Sequence, residues 1–135
     1  MNKSRIRILV VEDDIGVALV VKTCLESAGH EVIAIAPTAE RAIEEFEDRQ
    51  PDLVLMDIML KSDLDGIEAA RVIRSRSNVP IVFVASYGDE DTIKRAEGTH
   101  PSGFIIKPFR GNMLLETAET AYANHLKRER ANALR

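Results

Sequence analysis

The sequence predicts an α/β fold: a doubly wound, five-stranded parallel sheet in the order 2-1-3-4-5. Three observations predict it. Short apolar, β-branched runs recur at residues 6–11, 31–35, 53–56, 80–85 and 103–106. Each gap between them has room for a helix of about 10–14 residues and two short loops. The runs are near-continuously apolar, as strands covered on both faces are, while the segments between them carry helical periodicity. Such alternation gives a parallel sheet, and right-handed crossovers leave few topologies for it.

Each element has its own signal. The first run ends in Glu12-Asp13-Asp14, where Asp14 is placed to cap a helix. Ala18, Val21, Leu25 and Ala28 then keep a 3–4 spacing, and Gly29 sits where a C-terminal cap belongs. After the second run, Thr38 can cap a helix over residues 39–49 with Ala42, Ile43 and Phe46 on one face. The third run ends at Asp57. Asp65 with Glu68 three residues on resembles a capping box for a helix over 67–76. The fourth run ends in Ala85-Ser86. Asp89 can cap a short helix over 90–97, stopped by Gly98 and Pro101. The fifth run ends in Lys107-Pro108, and Leu114, Ala118, Ala121 and Tyr122 mark the last helix. Beyond Tyr122 the chain stays helix-forming and basic, with little apolar face. Residues 1–122 are therefore read as one domain, and 123–135 as a helical extension or a linker to a further domain.

Composition narrows the class. A chain of 135 residues with 45% apolar and 30% charged residues is an ordinary globular domain with one core. A formal net charge of −4 argues against a nucleic-acid groove. The single Cys24 can form no internal disulfide, and no Cys/His spacing suggests zinc. The apolar run after the N-terminal basic residues is too short for a signal peptide, and no stretch is long enough to span a membrane. These features predict a cytoplasmic protein without a membrane partner.

Chemistry in such a sheet belongs beyond the C-terminal strand ends, at the switch point between strands 1 and 3. No G-x-G-x-x-G follows strand 1, and three acids there would repel a pyrophosphate. Glu12, Asp13, Asp14 and Asp57 instead converge on one pocket. Carboxylates that close raise each other's pKa unless a cation neutralises them. Mg²⁺, a hard cation that binds one or two carboxylates plus phosphate oxygens, does so. Lys107, arriving on strand 5, is a point charge suited to phosphate. Taken singly, Asp14 reads equally as a helix cap and Lys107 as a solvated strand-end lysine. Their conjunction at matching strand ends points to a site. These four acids equal the whole excess of the 22 acidic over the 18 basic residues, so the net acidity is local to one pocket.

The chain resembles the receiver domain of two-component response regulators, a flavodoxin-like fold. The resemblance rests on residues 8–14 (ILVVEDD), 51–57 (PDLVLMD), Asp65-Gly66, 80–84 (PIVFV) and 103–109 (GFIIKPF), in order and spacing, over about residues 5–122. It implies that Asp57 is the phosphoacceptor, attacking the phosphohistidine of a partner kinase or phosphotransfer protein. It implies Mg²⁺ held by Asp13 and Asp57, by Glu12, and by the backbone carbonyl of Met59. Lys107 would pair with Asp57 and then with the phosphoryl group, and the bond before Pro108 would be cis. The implied function is a phosphorelay switch, not an enzyme, whose helix 4–strand 5–helix 5 face changes affinity for an output domain or partner, with a homodimer among the expected assemblies. The alternative is a pseudo-receiver that is never phosphorylated and serves as an interaction or dimerisation module. An aspartyl-phosphate phosphatase usually carries a second Asp two residues past the nucleophile, where this chain has Met59.

The chain departs from the family at strand 4. Ala85 stands at the usual Thr/Ser position, and alanine cannot bond a phosphoryl oxygen. Because successive side chains on a strand face opposite ways, Ser86 does not simply substitute, although local adjustment at the strand end would bring its hydroxyl in. Phe104 occupies the family's aromatic switch position; without a hydroxyl it can act only by packing. Helix 4 is short and reads as a mobile element. Tyr87 and Gly88 are placed at the pocket rim, Lys61 and Asp63 in a solvated loop, and His30, His100 and His125 at no mutual catalytic or metal spacing.

Overall fold

The structure, a computed structural model, describes residues 5–86 and 90–134. Five strands, β1 (Arg7–Val11), β2 (Glu31–Ala36), β3 (Leu53–Asp57), β4 (Ile81–Ser86) and β5 (Gly103–Lys107), alternate with five helices. These are α1 (Ile15–Ser27), α2 (Ala39–Arg49), α3 (Gly66–Arg74), α4 (Glu90–Glu97) and α5 (Gly111–Ala133). The sheet is parallel, in the order β2-β1-β3-β4-β5. The chain steps from β1 outward to β2, then back past β1 to β3. That reversal sets the ends of β1 and β3 side by side, with Val11 opposite Met56. Glu12 and Asp57 follow at adjacent positions.

Strand alternation divides the core in two. Leu9, Val11, Val54, Met56, Ile81, Phe83 and Ala85 face one side, against Ala42 and Phe46 of α2, Ile67, Ala70 and Ile73 of α3, and Ala96 of α4. Ile8, Val10, Leu53, Leu55, Val82, Val84 and Ile105 face the other, against Val21 and Leu25 of α1 and Leu114, Ala118 and Ala121 of α5. β3 is buried along its whole length, as its unbroken apolar run predicts. β2 and β5 are less covered than predicted: only Ala36 and Ile105 are buried on them. They are the sheet edges, paired on one side only.

The caps form as the residue types dictate. Asp14 accepts from the Val17 N–H at 3.2 Å, Thr38 from the Arg41 N–H at 3.1 Å, and Asp65 with Glu68 closes a reciprocal capping box. Gly29, just past α1, has φ +93°, the left-handed conformation that favours glycine. α3 stops two residues short of its predicted end. The Ser75 hydroxyl donates to the Val72 carbonyl at 2.6 Å, and Arg74 turns to the carbonyls of Val79 and Ser77 in the next loop. The predicted cap Asp89 lies outside the described residues. α5 runs on without a break at residue 122, and its residues 127–133 are all exposed. No helix among the described residues is long and apolar enough to cross a membrane.

Candidate functional site

Glu12, Asp13 and Asp57 each bring a carboxylate oxygen to within 4.8 Å of the others. Asp57 is 3% exposed and Glu12 5%, because both end strands in the middle of the sheet. Asp57 Oδ1 accepts from the Met59 N–H at 3.0 Å. Its Oδ2 accepts from Lys107 Nζ at 3.0 Å, and the same ammonium reaches Glu12 Oε1 at 3.1 Å. Glu12 Oε2 takes the Asp14 N–H at 3.1 Å, and Asp13 Oδ2 takes the Lys61 N–H at 3.0 Å. Asp14 itself turns away to cap α1. Of its two readings the cap is the one the structure bears out.

One lysine faces three carboxylates, and the electrostatics show the imbalance. Burial pushes the Glu12 carboxyl up from 4.5 to about 7, helped by the bond to Asp57 and by its charge. The Asp14 N–H and Lys107 oppose this only in part. Burial pulls the Lys107 ammonium down, but its bonds to Asp57 and Glu12 and their charges outweigh that and hold it above its ordinary value. The donor set is all hard oxygen with an uncompensated negative charge. That fits Mg²⁺, which prefers a few carboxylates and completes its shell with water and phosphate.

The backbone around Asp57 is tightly seated. The Ile58 N–H bonds the Val84 carbonyl at 3.0 Å, extending the β3–β4 pairing one step past the strand. Gly66, the first residue of α3, donates to the Ile58 carbonyl at 3.1 Å. A Cβ at position 66 would stand 2.1 Å from the Asp57 carbonyl oxygen. Sequence reading gives Gly66 as part of the family pattern without a structural reason; the close approach shows once the helix is laid across the strand end. The cap residue Asp65 also pairs with Arg95 of α4 at 3.2 Å. Ser62 bonds the Leu64 carbonyl at 2.6 Å and lies 3.4 Å from the Ala39 N–H, which ties the loop after Asp57 to the start of α2. Lys61 and Asp63 are exposed as expected, apart from the Lys61 backbone bond to Asp13.

Ala85 is 2% exposed and belongs to the core face of Phe83, whose ring packs on the half-buried Phe104 at a centroid distance of 5.8 Å. Ser86 ends β4 as an exposed residue opposite Lys107. On β3 the face of Leu53 and Leu55 continues to Asp57, on β5 that of Ile105 continues to Lys107, and on β4 that of Val82 and Val84 continues to Ser86. By this alternation Ser86 lies on the face of Asp57 and Lys107, and Ala85 on the opposite face. The Lys107–Pro108 bond is cis. The Met59 N–H is engaged by Asp57, and the Met59 side chain is exposed. Tyr87 and Gly88 lie outside the described residues.

The histidines stand apart from the carboxylate cluster. His30 is a core residue: Nδ1 accepts from the Ile6 N–H at 3.1 Å, so Nε2 carries the proton it shares with Glu119 at 2.8 Å. His125 lies 3.8 Å from Glu129 along α5.

A family model, the response regulator receiver domain, matches residues 8–119. The chain is 32% identical to the chemotaxis protein CheY of Bacillus subtilis strain 168 over 111 residues, 82% of this chain and 92% of that one. It is 31% identical over 115 residues to the transcriptional regulatory protein PdtaR of Mycobacterium tuberculosis, covering 85% of this chain and 56% of that protein. The chain thus spans little more than half the length of the first curated relatives it matches. Among solved structures it is similar to the signal receiver domain of a modulated diguanylate cyclase from Desulfovibrio desulfuricans G20, with a TM-score of 0.84 and 34% identity over 90% of this chain and 96% of that one. NtrX from Brucella abortus superposes with a TM-score of 0.90 and 31% identity over 98% of this chain and 30% of that one.

Proposed function

From the premise that the chain belongs to the response regulator receiver domain family, we propose that it accepts a phosphoryl group on Asp57, with Mg²⁺, as the switch of a two-component phosphorelay. The observation that carries this reading is Lys107, bonded at once to Asp57 and Glu12 beside the third carboxylate, Asp13. Phosphoryl transfer needs positioning and charge neutralisation more than covalent machinery. A carboxylate oxygen of Asp57 forms the new P–O bond while the P–N bond to the donor's phosphohistidine breaks, and the imidazole leaves with the electron pair. The Met59 N–H and Lys107 orient the Asp57 carboxylate before the reaction. Lys107 then turns to the new phosphoryl oxygens. Mg²⁺ would be held by Glu12, Asp13, Asp57 and the Met59 carbonyl, and it supplies neutralising charge to the carboxylates and the phosphoryl oxygens.

The donor is a histidine kinase or a phosphotransfer protein of the cytoplasm. The responding surface is the face of α4, β5 and α5, and the uninterrupted α5 leads toward an output domain or a second copy of the chain. Incubation with acetyl phosphate and Mg²⁺ followed by intact-mass measurement tests the reading. One phosphate should appear on the wild-type protein and none on Asp57→Asn. Absence of any adduct at every Mg²⁺ concentration overturns it. The buried Ala85, with no hydroxyl to offer, favours one second reading, a module that acts without phosphorylation. That reading holds if Asp57→Asn leaves partner binding intact.

A further inference from the structure

We propose that the far half of α5 closes a second ligand site, a groove that takes a small phosphate monoester with a flat ring, of the size of a nucleoside monophosphate. The groove lies at the N-terminal ends of β4 and β5, the opposite end of the sheet from Asp57. The inference therefore does not rest on Asp57 being the phosphoacceptor. Residues 123–133 of α5 have no role in the carboxylate site. They run instead past the loops that lead into β4 and β5, where His125, Arg128, Glu129 and Asn132 line one wall of the groove. Arg74 and Asn78 before β4, with His100 and Ser102 before β5, line the rest. Its volume, about 690 Å³, is that of a small-molecule site.

Two guanidinium groups line this groove, and neither forms an ion pair among the described residues. Arg74 is half-buried and donates to the backbone carbonyls of Thr99, Ser77, Val79 and His100 at 2.8 to 3.5 Å. Those carbonyls fix the group in place but carry no formal charge to cancel its own. Burial holds the Arg74 guanidinium below its ordinary pKa, and the charge of Arg128 lowers it further, so the two cations stand within each other's field. Arg128 is exposed and keeps its donor fork free. Glu97 and Glu129 share the lining, but the nearest cationic partner of Glu129 is His125 at 3.8 Å. An anion set between the arginines relieves their repulsion, and a phosphate suits the planar fork of Arg128. The Ser102 hydroxyl and the Asn78 amide add uncharged donors. Pro101 and the half-buried Phe104 add an apolar patch that a flat ring can cover. A metal is the poorer occupant: among the described residues, the acids and histidines that converge as a metal cluster are Glu12, Asp13 and Asp57, none of them here.

Calorimetric titration of the whole chain without Mg²⁺ tests this, with AMP, adenosine and inorganic phosphate as the probes. AMP should bind saturably. Adenosine and inorganic phosphate should each bind at least about tenfold more weakly, since each lacks one half of what the groove recognises. Arg128→Ala should weaken AMP binding about tenfold or more, the lower end for a hydrogen bond to a charged group. Its melting temperature should match wild type, because Arg128 is exposed and unpaired. Glu129→Gln removes a competing negative charge from the lining and should tighten AMP binding. Asp57→Asn should bind AMP as the wild type does. Absence of saturable AMP binding overturns the proposal. So does wild-type affinity in Arg128→Ala, inorganic phosphate binding as tightly as AMP, or loss of AMP binding in Asp57→Asn. None of these results bears on phosphorylation of Asp57 by acetyl phosphate, so the two readings fail separately.

Discussion

Gly66→Ala isolates the contact between α3 and the strand end that carries Asp57. The new Cβ would lie 2.1 Å from the Asp57 carbonyl oxygen and 2.9 Å from the Ile58 Cα. Both are backbone atoms, so no side chain can swing aside. An ordinary contact needs more than 3 Å, so α3 or the end of β3 must give by roughly 1 Å. Two effects compete in the sign of the result. Replacing glycine by alanine in a helix gains up to about 1 kcal/mol from propensity, and less at a first position such as this. Forcing a methyl into a packed site costs about 1–3 kcal/mol. The clash is with main chain on one side and a helix buried at Ile67, Ala69, Ala70 and Ile73 on the other, so the cost wins. The expected net loss is about 2 kcal/mol, read from urea melts. The displaced carbonyl belongs to the proposed phosphoacceptor itself. A misplacement of about 1 Å should slow phosphorylation by acetyl phosphate on the order of 100-fold. Both quantities come from one protein preparation. Unchanged stability with an unchanged phosphorylation rate would refute the reasoning, since it would mean that the helix slides without moving Asp57.

Other expectations follow from the charges. The Glu12 carboxyl, raised from 4.5 to about 7 in the metal-free fold, binds its proton more tightly folded than unfolded. Its contribution is therefore full below pH 4.5 and lost as pH rises through 7, a loss of at most about 3 kcal/mol. Urea melts across that range should show this fall without Mg²⁺ and a smaller one with it, and Glu12→Gln should flatten the curve. Lys107→Ala removes the only ammonium bonded to Asp57 and Glu12 among the described residues, so Mg²⁺ affinity should rise while acceptance of phosphate falls at least tenfold. Fluorescence or calorimetric titration and the intact-mass assay read the two directions separately; a joint fall would contradict the assignment. Arg95→Ala breaks an exposed ion pair and should cost under about 1 kcal/mol of global stability. Amide exchange in α4 should nevertheless quicken, because Asp65 is the partner that ties that helix to α3.

What the sequence makes legible here is local physics. α2 starts at Ala39 and ends at Arg49 as read, because Thr38 and the spacing of Ala42 and Phe46 act within one helix. The convergence of Asp57 and Lys107 was legible because both close apolar runs whose order in the sheet is set by crossover handedness. What was not legible depends on the neighbour rather than the segment. β2 and β5 read as buried strands, but only their place at the sheet edge decides how much of them is covered. α3 ends early because Ser75 bonds back to the Val72 carbonyl in the helix and Arg74 finds carbonyls of a loop that sequence alone does not fold. Ser86 needed the inter-strand register: a strand end has an inside and an outside only once Lys107 is set opposite it. The family pattern directs attention to position 85, and the register sets Ser86, not Ala85, opposite Lys107.

The same geometry argues which element the site can move most cheaply. α3 buries five residues and α5 three, so displacing either exposes several side chains to water. α4 buries only Ala96 over its eight residues. Its Arg95 pairs with Asp65, which caps the helix whose first residue lies on the Asp57 backbone. Gly66 and Asp65 thus link the Asp57 backbone to α4, whose Ala96 also packs in the core of Phe83 and Phe104. That core, with the methyl of Ala85 at its edge, offers the acceptor no polar handle. Motion of α4 costs little and is coupled to Asp57 by packing and charge. Ala85, on the face of Phe104, can make no side-chain hydrogen bond. On phosphorylation, amide exchange should therefore change more in α4 than around Phe104; the reverse order would contradict this reading.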